Sequence, residues 1–265
     1  MNRCGILLAG GKGTRLLPST TTISKQLLPI YDKPLIYYPL STLMKAKIKD
    51  VLIIAADKLN MALFMDLFGD GSRLGMNIHY KVQSRPAGIS DAFLVGEEFI
   101  DGRPVALALG DNIFYGSELD DVIDFITKHD NVVFGCKVAD PTAYGVAKWD
   151  NNGSFIRVVE KPEDPPSNYA VPGLYFYDKT VVEKAKSLEP SARGELEITD
   201  LTNLYAKSNN LDVIVLSDVH WFDCGTHEGM LEASQFVHAV QKRTGEVLGD
   251  IQGIAKANGW LDIPF

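Results

Sequence analysis

The sequence predicts an α/β fold, with a mostly parallel central sheet covered by helices on both faces and a β-rich extension. Two patterns carry that expectation. Short runs rich in leucine and β-branched residues alternate with longer amphipathic segments in the N-terminal part, and near the middle the strands lengthen around a proline-rich connection. In order, Cys4–Leu8 reads as a strand, Ile36–Ala46 as a helix, Val51–Ala55 as a strand, Met61–Phe68 and Ile89–Phe99 as helices, and Val105–Leu109 and Val132–Val138 as strands. Phe155–Glu160 and Tyr169–Tyr177 read as longer strands divided by "KPEDPPSN", and Val213–Leu216 as a further short one. After Thr226, "EGMLEASQFVHAVQKR" predicts a helix that brings Met230, Leu231, Ser234, Phe236, Val237 and Val240 near one broad face. No repeat or flexible linker interrupts the chain, so 1–265 reads as a single domain.

Composition excludes several classes. The 265 residues are 46% hydrophobic and 23% charged, enough for a well-buried core. Lys and Arg number 26 against 34 Asp and Glu, a formal net charge of -8, which disfavours nucleic acid and anionic membranes as partners. The apolar run Ile6–Ala9 stops at Gly10, too short for the core of a signal peptide, and no stretch reaches the roughly 20 apolar residues of a membrane span. A cytoplasmic protein is expected. Cys4, Cys136 and Cys224 are widely spaced and read as reduced thiols; His220 and His227 fit no common zinc spacing.

The segment "LLAGGKGTRLLPSTTTISKQLLPIYDKP" places a glycine turn after a strand and before two cations, Arg15 and Lys25. Gly10, Gly11 and Gly13 offer backbone N–H groups to an anion, and Arg15 and Lys25 add charge suited to phosphate. The stretch matches neither the P-loop nor the dinucleotide fingerprint, which fails at Leu16. On the residues alone, a tight turn with two solvated cations competes with a polyphosphate site, and Lys12 reads as a bystander. Asp111 ends the strand "VALALGDNIFYG", at the sheet edge where α/β proteins place ligands, and Asp223 lies in "HWFDCGTH". Two such carboxylates could share a Mg²⁺ with a triphosphate; each alone could equally cap a turn.

"LAGGKGTRLLPSTTTISKQLLPI" resembles the signature of the sugar-phosphate nucleotidyltransferases. With "YDKPLIYYPLSTLM", "LALGDNIFYG", "EKP", "SNYAVPGLYFYD" and "SARGELEITDL", the chain is most similar to the glucose-1-phosphate thymidylyltransferases of that family. The likeness runs from Cys4 to about Val240 and more weakly to Trp260. It implies a Rossmann-like nucleotidyltransferase fold with a nucleotide-binding half at about 1–113 and 213–227, a sugar-binding half at about 114–212 and a C-terminal helical segment at about 228–265. The implied reaction transfers dTMP from dTTP to glucose 1-phosphate, giving dTDP-glucose for deoxysugar and polysaccharide synthesis, and pyrophosphate.

The resemblance also implies roles. Leu8, Gly10, Gly11, Gly13, Thr14, Arg15, Gln26, Gln83, Gly88 and Asp111 would bind the nucleotide, with Gln83 on the pyrimidine edge. Asp111 and Asp223 would hold Mg²⁺. Lys161 and Arg193 would bind the sugar phosphate, Glu160 the sugar hydroxyls, and Asn112, Tyr144, Gly145, Val171 and Tyr175 would complete the sugar site. Arg15, Lys25, Asp111, Lys161 and Asp223 would form the catalytic set. Considered without the family, Tyr144, Val171 and Tyr175 read as core, Glu160 and Lys161 as a solvated strand end, and Arg193 as charge on the turn before a helix, with Glu195 and Glu197 suited to its positive end.

Two departures stand out. Cys224 replaces a common threonine, which reads either as a small-residue exchange or as the mark of a thiol-sensitive enzyme. "QSRPAGISDA" differs from the usual stretch beside the base, so dTTP is expected to be preferred and UTP tolerated. A uridylyltransferase and a non-catalytic sugar-nucleotide sensor are the alternatives. Longer relatives continue through C-terminal helices that serve subunit packing and a regulatory nucleotide site near the segment matching Tyr115 and Gly116. A homo-oligomer, dimer or tetramer, is expected.

Overall fold

The computed structural model describes residues 2–126 and 129–261, which divide into two compact units. One comprises 2–86, 107–115 and 220–261, and the other 87–106 and 116–219. Residues 87–106 thus group with the middle of the chain and 228–261 with its beginning; the end of the C-terminal segment, 262–265, lies outside the described residues. Among the described residues no helix is long and apolar enough to cross a membrane.

The first unit is built on Cys4–Ala9, whose six residues are all buried. This strand pairs in parallel with Asp50–Ala55, which pairs in parallel with Asn77–Val82, and Val105–Leu109 flanks its other side. Continuous apolar strands of this kind are what a sheet buried on both faces requires. A short antiparallel ladder, Asn112–Tyr115 on His220–Asp223, pairs Asn112 with Asp223. The helix His227–Thr244 follows at once, with Thr226 accepting a 3.1 Å bond from the Gly229 N–H at its start and Gly245 (φ 76°) at its end. Ala233 and Val237 are buried on it, with Met230, Phe236 and Val240 packed alongside; Leu231, expected on that face, is exposed instead because its position turns away from the buried stripe.

The second unit carries the strands Phe155–Glu160, Gly145–Trp149, Tyr169–Ala170, Val132–Lys137 and Leu174–Tyr177 in that spatial order, with Asp212–Leu216 parallel to Val132–Lys137. The expected single strand Tyr169–Tyr177 is two pieces, broken at Val171-Pro172-Gly173, where proline removes a ladder donor. The expected helix Ile89–Phe99 is likewise two, Asp91–Val95 and Glu97–Ile100, meeting at Gly96. The strand Phe155–Glu160 is held by the helix Ile198–Lys207: the Asn203 amide accepts from Val158 N–H at 2.8 Å and donates to Val158 C=O at 2.9 Å. That clamp fixes the strand end bearing Glu160.

Candidate active site

In the first unit the glycine loop leaves the buried strand at Ala9 and turns through Gly13 (φ 62°), a conformation that favours glycine. Thr20 donates to Gly13 C=O at 2.7 Å and closes the loop. Each glycine has a close neighbour. A β-carbon at Gly10 would lie 3.0 Å from Gln83 Oε1, and one at Gly11 would lie 3.7 Å from Lys25 Nζ. The loop therefore brings the two expected ligand groups, Gln83 and Lys25, to its backbone. Leu8 C=O accepts from Gly110 N–H at 2.9 Å, which ties the loop's strand to the turn bearing Asp111. Gln26 is buried beneath that turn, accepting a hydrogen bond from Ser24 Oγ, whereas Thr14 is exposed at the loop's outer side.

Lys25 donates to Asp111 Oδ2, and both side chains are nearly buried, at 11% and 12% exposure. Asp111 is steadied further by Asn112, whose amide nitrogen donates to it at 3.0 Å and whose amide oxygen accepts from Trp221 Nε1 at 2.6 Å. Asn112, expected on the sugar, lies in the same unit as Lys25 and Asp111. The ladder brings Asp223 alongside: Asp223 pairs with Asn112, and Cys224 N–H donates to Asp111 C=O at 2.9 Å. Burial pushes the Asp223 carboxyl above the ordinary range, and the Asp111 charge adds to the rise against Lys25 and Arg15. Two hard oxygen donors that repel each other fit a divalent cation such as Mg²⁺. Arg15 completes the cluster: a β-carbon at Gly225 would lie 2.5 Å from Arg15 Nη2 and 3.0 Å from Asp223 Oδ1.

Gly225 is a residue that sequence reasoning missed. It lies two positions after Asp223, and only the packing of the guanidinium shows why a side chain there would displace Arg15. Gly229 is a second, since a β-carbon on it would lie 2.3 Å from Asp223 C=O.

In the second unit the expected sugar residues cluster. Gly145 pairs with Glu160, Tyr144 C=O accepts from Lys161 N–H at 2.9 Å, and Gly145 C=O accepts from Val171 N–H at 2.8 Å. Lys161 holds φ 40°, an uncommon conformation for a residue with a side chain, and its ammonium lies 3.7 Å from Glu160. Thr199 Oγ1 donates to Glu160 Oε2 at 2.5 Å. Arg193 makes a two-point contact with Glu197, 2.9 Å to each oxygen, with Glu195 at 3.6 Å and Glu160 at 3.9 Å. These bonds raise the guanidinium further above its usual value. Glu197 also accepts from Ser191 Oγ at 2.7 Å, so Arg193 is held by an anchored partner.

Three expected ligands have structural reasons of their own. Tyr175 is buried and stacks on Tyr177, 6.3 Å between ring centres, and Val171 is buried. Gly88 (φ 96°) packs on the Leu196 backbone, where a β-carbon would lie 2.3 Å from the carbonyl oxygen.

Cys224 is fully buried among Ile30, Leu35, Tyr38 and Ile113, and burial pushes its thiol well up. The thiolate needed for alkylation is therefore scarce at neutral pH. Native protein treated with iodoacetamide is expected to keep Cys4, Cys136 and Cys224 unmodified by peptide mass spectrometry and to keep full activity. Labelling of Cys224 at a rate typical of an exposed thiol would overturn this and restore the thiol-sensitive reading.

Comparison with known proteins agrees with the residues. The chain is 49% identical over 263 residues to glucose-1-phosphate thymidylyltransferase of Xanthomonas campestris pv. campestris (strain B100), covering 98% of this chain and 89% of that protein. A Bacillus anthracis crystal structure with bound sucrose, assigned to glucose-1-phosphate thymidylyltransferase, superposes with a TM-score of 0.81 at 39% identity, covering 88% of this chain and 94% of that one. UDP-glucose pyrophosphorylase complexed with UDP-glucose superposes with a TM-score of 0.79 at 30% identity, covering 92% and 100%. Residues 4–240 match the nucleotidyl transferase family, and with its glycine loop, paired cations and twin carboxylates on that scaffold the chain belongs to it.

Proposed function

We propose that the chain transfers the dTMP moiety of dTTP to α-D-glucose 1-phosphate, giving dTDP-glucose and pyrophosphate in a Mg²⁺-dependent reaction. The observation that carries this reading is the cluster of Arg15, Lys25, Asp111 and Asp223 around the glycine loop, in a chain 49% identical to a curated glucose-1-phosphate thymidylyltransferase. A binding module has no need of two mutually repelling carboxylates beside two cations. That argues against a non-catalytic sensor.

In the reaction an oxygen of the sugar phosphate attacks the α-phosphorus of dTTP in line. The new P–O bond forms as the bond to the β-phosphate oxygen breaks, and pyrophosphate leaves with the electron pair. The attacking group is already an anion, so no protein nucleophile or general base is required. The protein's work is to orient two anions that repel each other and to follow the charge as it moves. Lys25, held over Gly11 by Asp111, is suited to the reacting phosphates. Arg15 is suited to the departing pyrophosphate, its delocalised charge offering several donors to phosphate oxygens. Gln83 would meet the pyrimidine edge and the Gly88 backbone the base, with Gly10, Gly11 and Gly13 offering N–H groups to the phosphates. Lys161 and the anchored Arg193 would hold the sugar phosphate, and Glu160, fixed by Thr199, would accept from sugar hydroxyls. Asp111 and Asp223 would hold Mg²⁺, which when bound offsets triphosphate charge.

A uridylyltransferase is the second reading, favoured by the likeness to UDP-glucose pyrophosphorylase. Thymine differs from uracil by one methyl group, worth about 1 to 3 kcal/mol in a pocket. Pyrophosphate release with glucose 1-phosphate and Mg²⁺ should therefore be fastest with dTTP, with kcat/KM for UTP lower by roughly 10- to 200-fold. CTP, GTP and ATP should be poorer still. UTP outrunning dTTP would establish the second reading. Silence with every nucleotide, in folded protein that binds dTTP, would leave the sensor. The family resemblance further supports a homo-oligomer acting in the cytoplasm.

A further inference from the structure

Lys25 sits on a short turn, Lys25–Leu27, whose internal bonds are local: Leu27 N–H donates to Ser24 C=O at 2.9 Å and Leu28 N–H to Lys25 C=O at 3.1 Å. Such bonds shape the turn but do not fix where it lies. Bonds from farther along the chain do that. Ile36 N–H donates to Gln26 C=O at 2.9 Å, and Ser24 N–H, just before Lys25, donates to Asn60 Oδ1 at 2.8 Å. Ser24 is buried, and Asn60 lies in the first turn of the helix Lys58–Phe68, which follows the strand Asp50–Ala55.

The Asn60 amide is held the right way round for this. Its nitrogen donates to Asp57 Oδ2 at 2.8 Å, which leaves the amide oxygen for Ser24, while Asp57 Oδ1 accepts from Asn60 N–H at 2.8 Å and caps the helix. Asp57, Asn60 and Ser24 thus form one chain of bonds that ends at the Lys25 backbone. Packing is thin here. A cavity of about 450 Å³ lies beside the glycine loop, with Gly11, Lys12, Thr21, Ser24, Asp57 and Asn60 in its lining. Side chains that meet a cavity lose van der Waals partners, so the hydrogen bond carries more of the positioning.

We propose that Asn60 is a positioning residue for Lys25: through Ser24 N–H it fixes the turn from which Lys25 reaches Gly11 and Asp111, so that the ammonium is preorganised for the reacting phosphates. Asn60 touches no substrate; it acts through Lys25. Its loss lets the ammonium drift, and a misplacement of about 1 Å is enough to cost roughly 100-fold in rate. The inference rests on the role given to Lys25 in the proposed transfer.

Two readouts test it, one of them without turnover. Asn60→Ala removes the acceptor but keeps the backbone N–H that Asp57 caps, so the helix is retained. Amide exchange over 24–28 should be about 10-fold faster than in the wild type, the worth of one hydrogen bond. With dTTP, glucose 1-phosphate and Mg²⁺, kcat should fall by roughly 10- to 100-fold while KM for glucose 1-phosphate holds. Asn60→Asp, which keeps an acceptor for Ser24 N–H, should retain most of the turnover. In the Lys25→Ala background, adding Asn60→Ala should change kcat by less than about twofold, because the two residues act as a unit. A folded Asn60→Ala protein with wild-type exchange or wild-type kcat would overturn the proposal, as would an undiminished loss in the Lys25→Ala background. If Asn60→Ala does not fold, Ser24→Pro decides: it removes the same N–H, φ -59° suits the ring, and kcat should fall likewise. A wild type silent with every nucleotide would refute the transfer reading, and exchange over 24–28 alone would then uphold or overturn the tether.

Discussion

Lys25→Ala is expected to lower kcat by about 10²- to 10³-fold while the protein remains folded, the cost of removing one preorganised charge from a site of developing charge. Lys25 lies against Gly11 and is paired with Asp111 in a nearly dry setting, where an ammonium acts more strongly than it would in water. Its loss acts twice. The reacting phosphates lose a cation, and Asp111 is left beside Asp223 with less compensation. Lys25→Arg is not expected to restore the rate, because a planar fork cannot replace a compact point charge fitted over a glycine. Stopped-flow or coupled measurement of pyrophosphate release gives kcat directly. A folded Lys25→Ala protein with more than half the wild-type turnover would refute the role given to this residue.

Asp223→Asn is expected to separate activity from stability. Activity should fall by about 10³-fold or more, as when a catalytic residue that works as part of a unit is removed. Stability of the ligand-free protein should hold or rise, by roughly 1 kcal/mol. The reason is the raised carboxyl: its charge is costly in the folded state, through burial first and Asp111 second. A group whose folded value lies above its unfolded value contributes stability at pH below the unfolded value, near 3.8, and loses that contribution as pH rises through the folded value. Wherever Asp223 is ionised in the folded state its charge is therefore a net cost, and asparagine removes it. Thermal melts of both proteins at pH 7 and pH 5 in the absence of divalent cations check the sign. The wild type should close the gap as pH falls, and a variant that melts well below the wild type at pH 7 would count against this account.

The parts of the fold legible in the sequence are those that local pattern dictates. Cys4–Ala9 and Asp50–Ala55 announce themselves because strands buried on both faces must be apolar at every position. The glycine loop is legible for the same local reason. What escapes is non-local. The ladder of Asn112–Tyr115 on His220–Asp223 joins segments far apart in the chain, and nothing in "DNIFY" or "HWFD" alone announces a partner. Gly225 gains its meaning only when Arg15 packs on it, and Thr199 only when Glu160 accepts a hydrogen bond from its hydroxyl. The broken strand Tyr169–Tyr177 was legible in principle, since Pro172-Gly173 marks the interruption. Leu231 fails for a different reason: a broad apolar arc read from spacing alone does not say which edge of the arc faces outward.

The same ladder bears on how this site can change over generations. Asp111 and Asp223 are set side by side by backbone pairing, with Asn112 opposite Asp223 and Cys224 N–H bonded to Asp111 C=O. Losing or gaining one residue in either segment would shift that pairing and carry one acid out of register with the other. Point substitutions along the ladder leave that spacing intact; insertions and deletions do not. The pair is thus inherited as a single geometric unit, tolerant of spelling changes in its neighbours and intolerant of any change in their count.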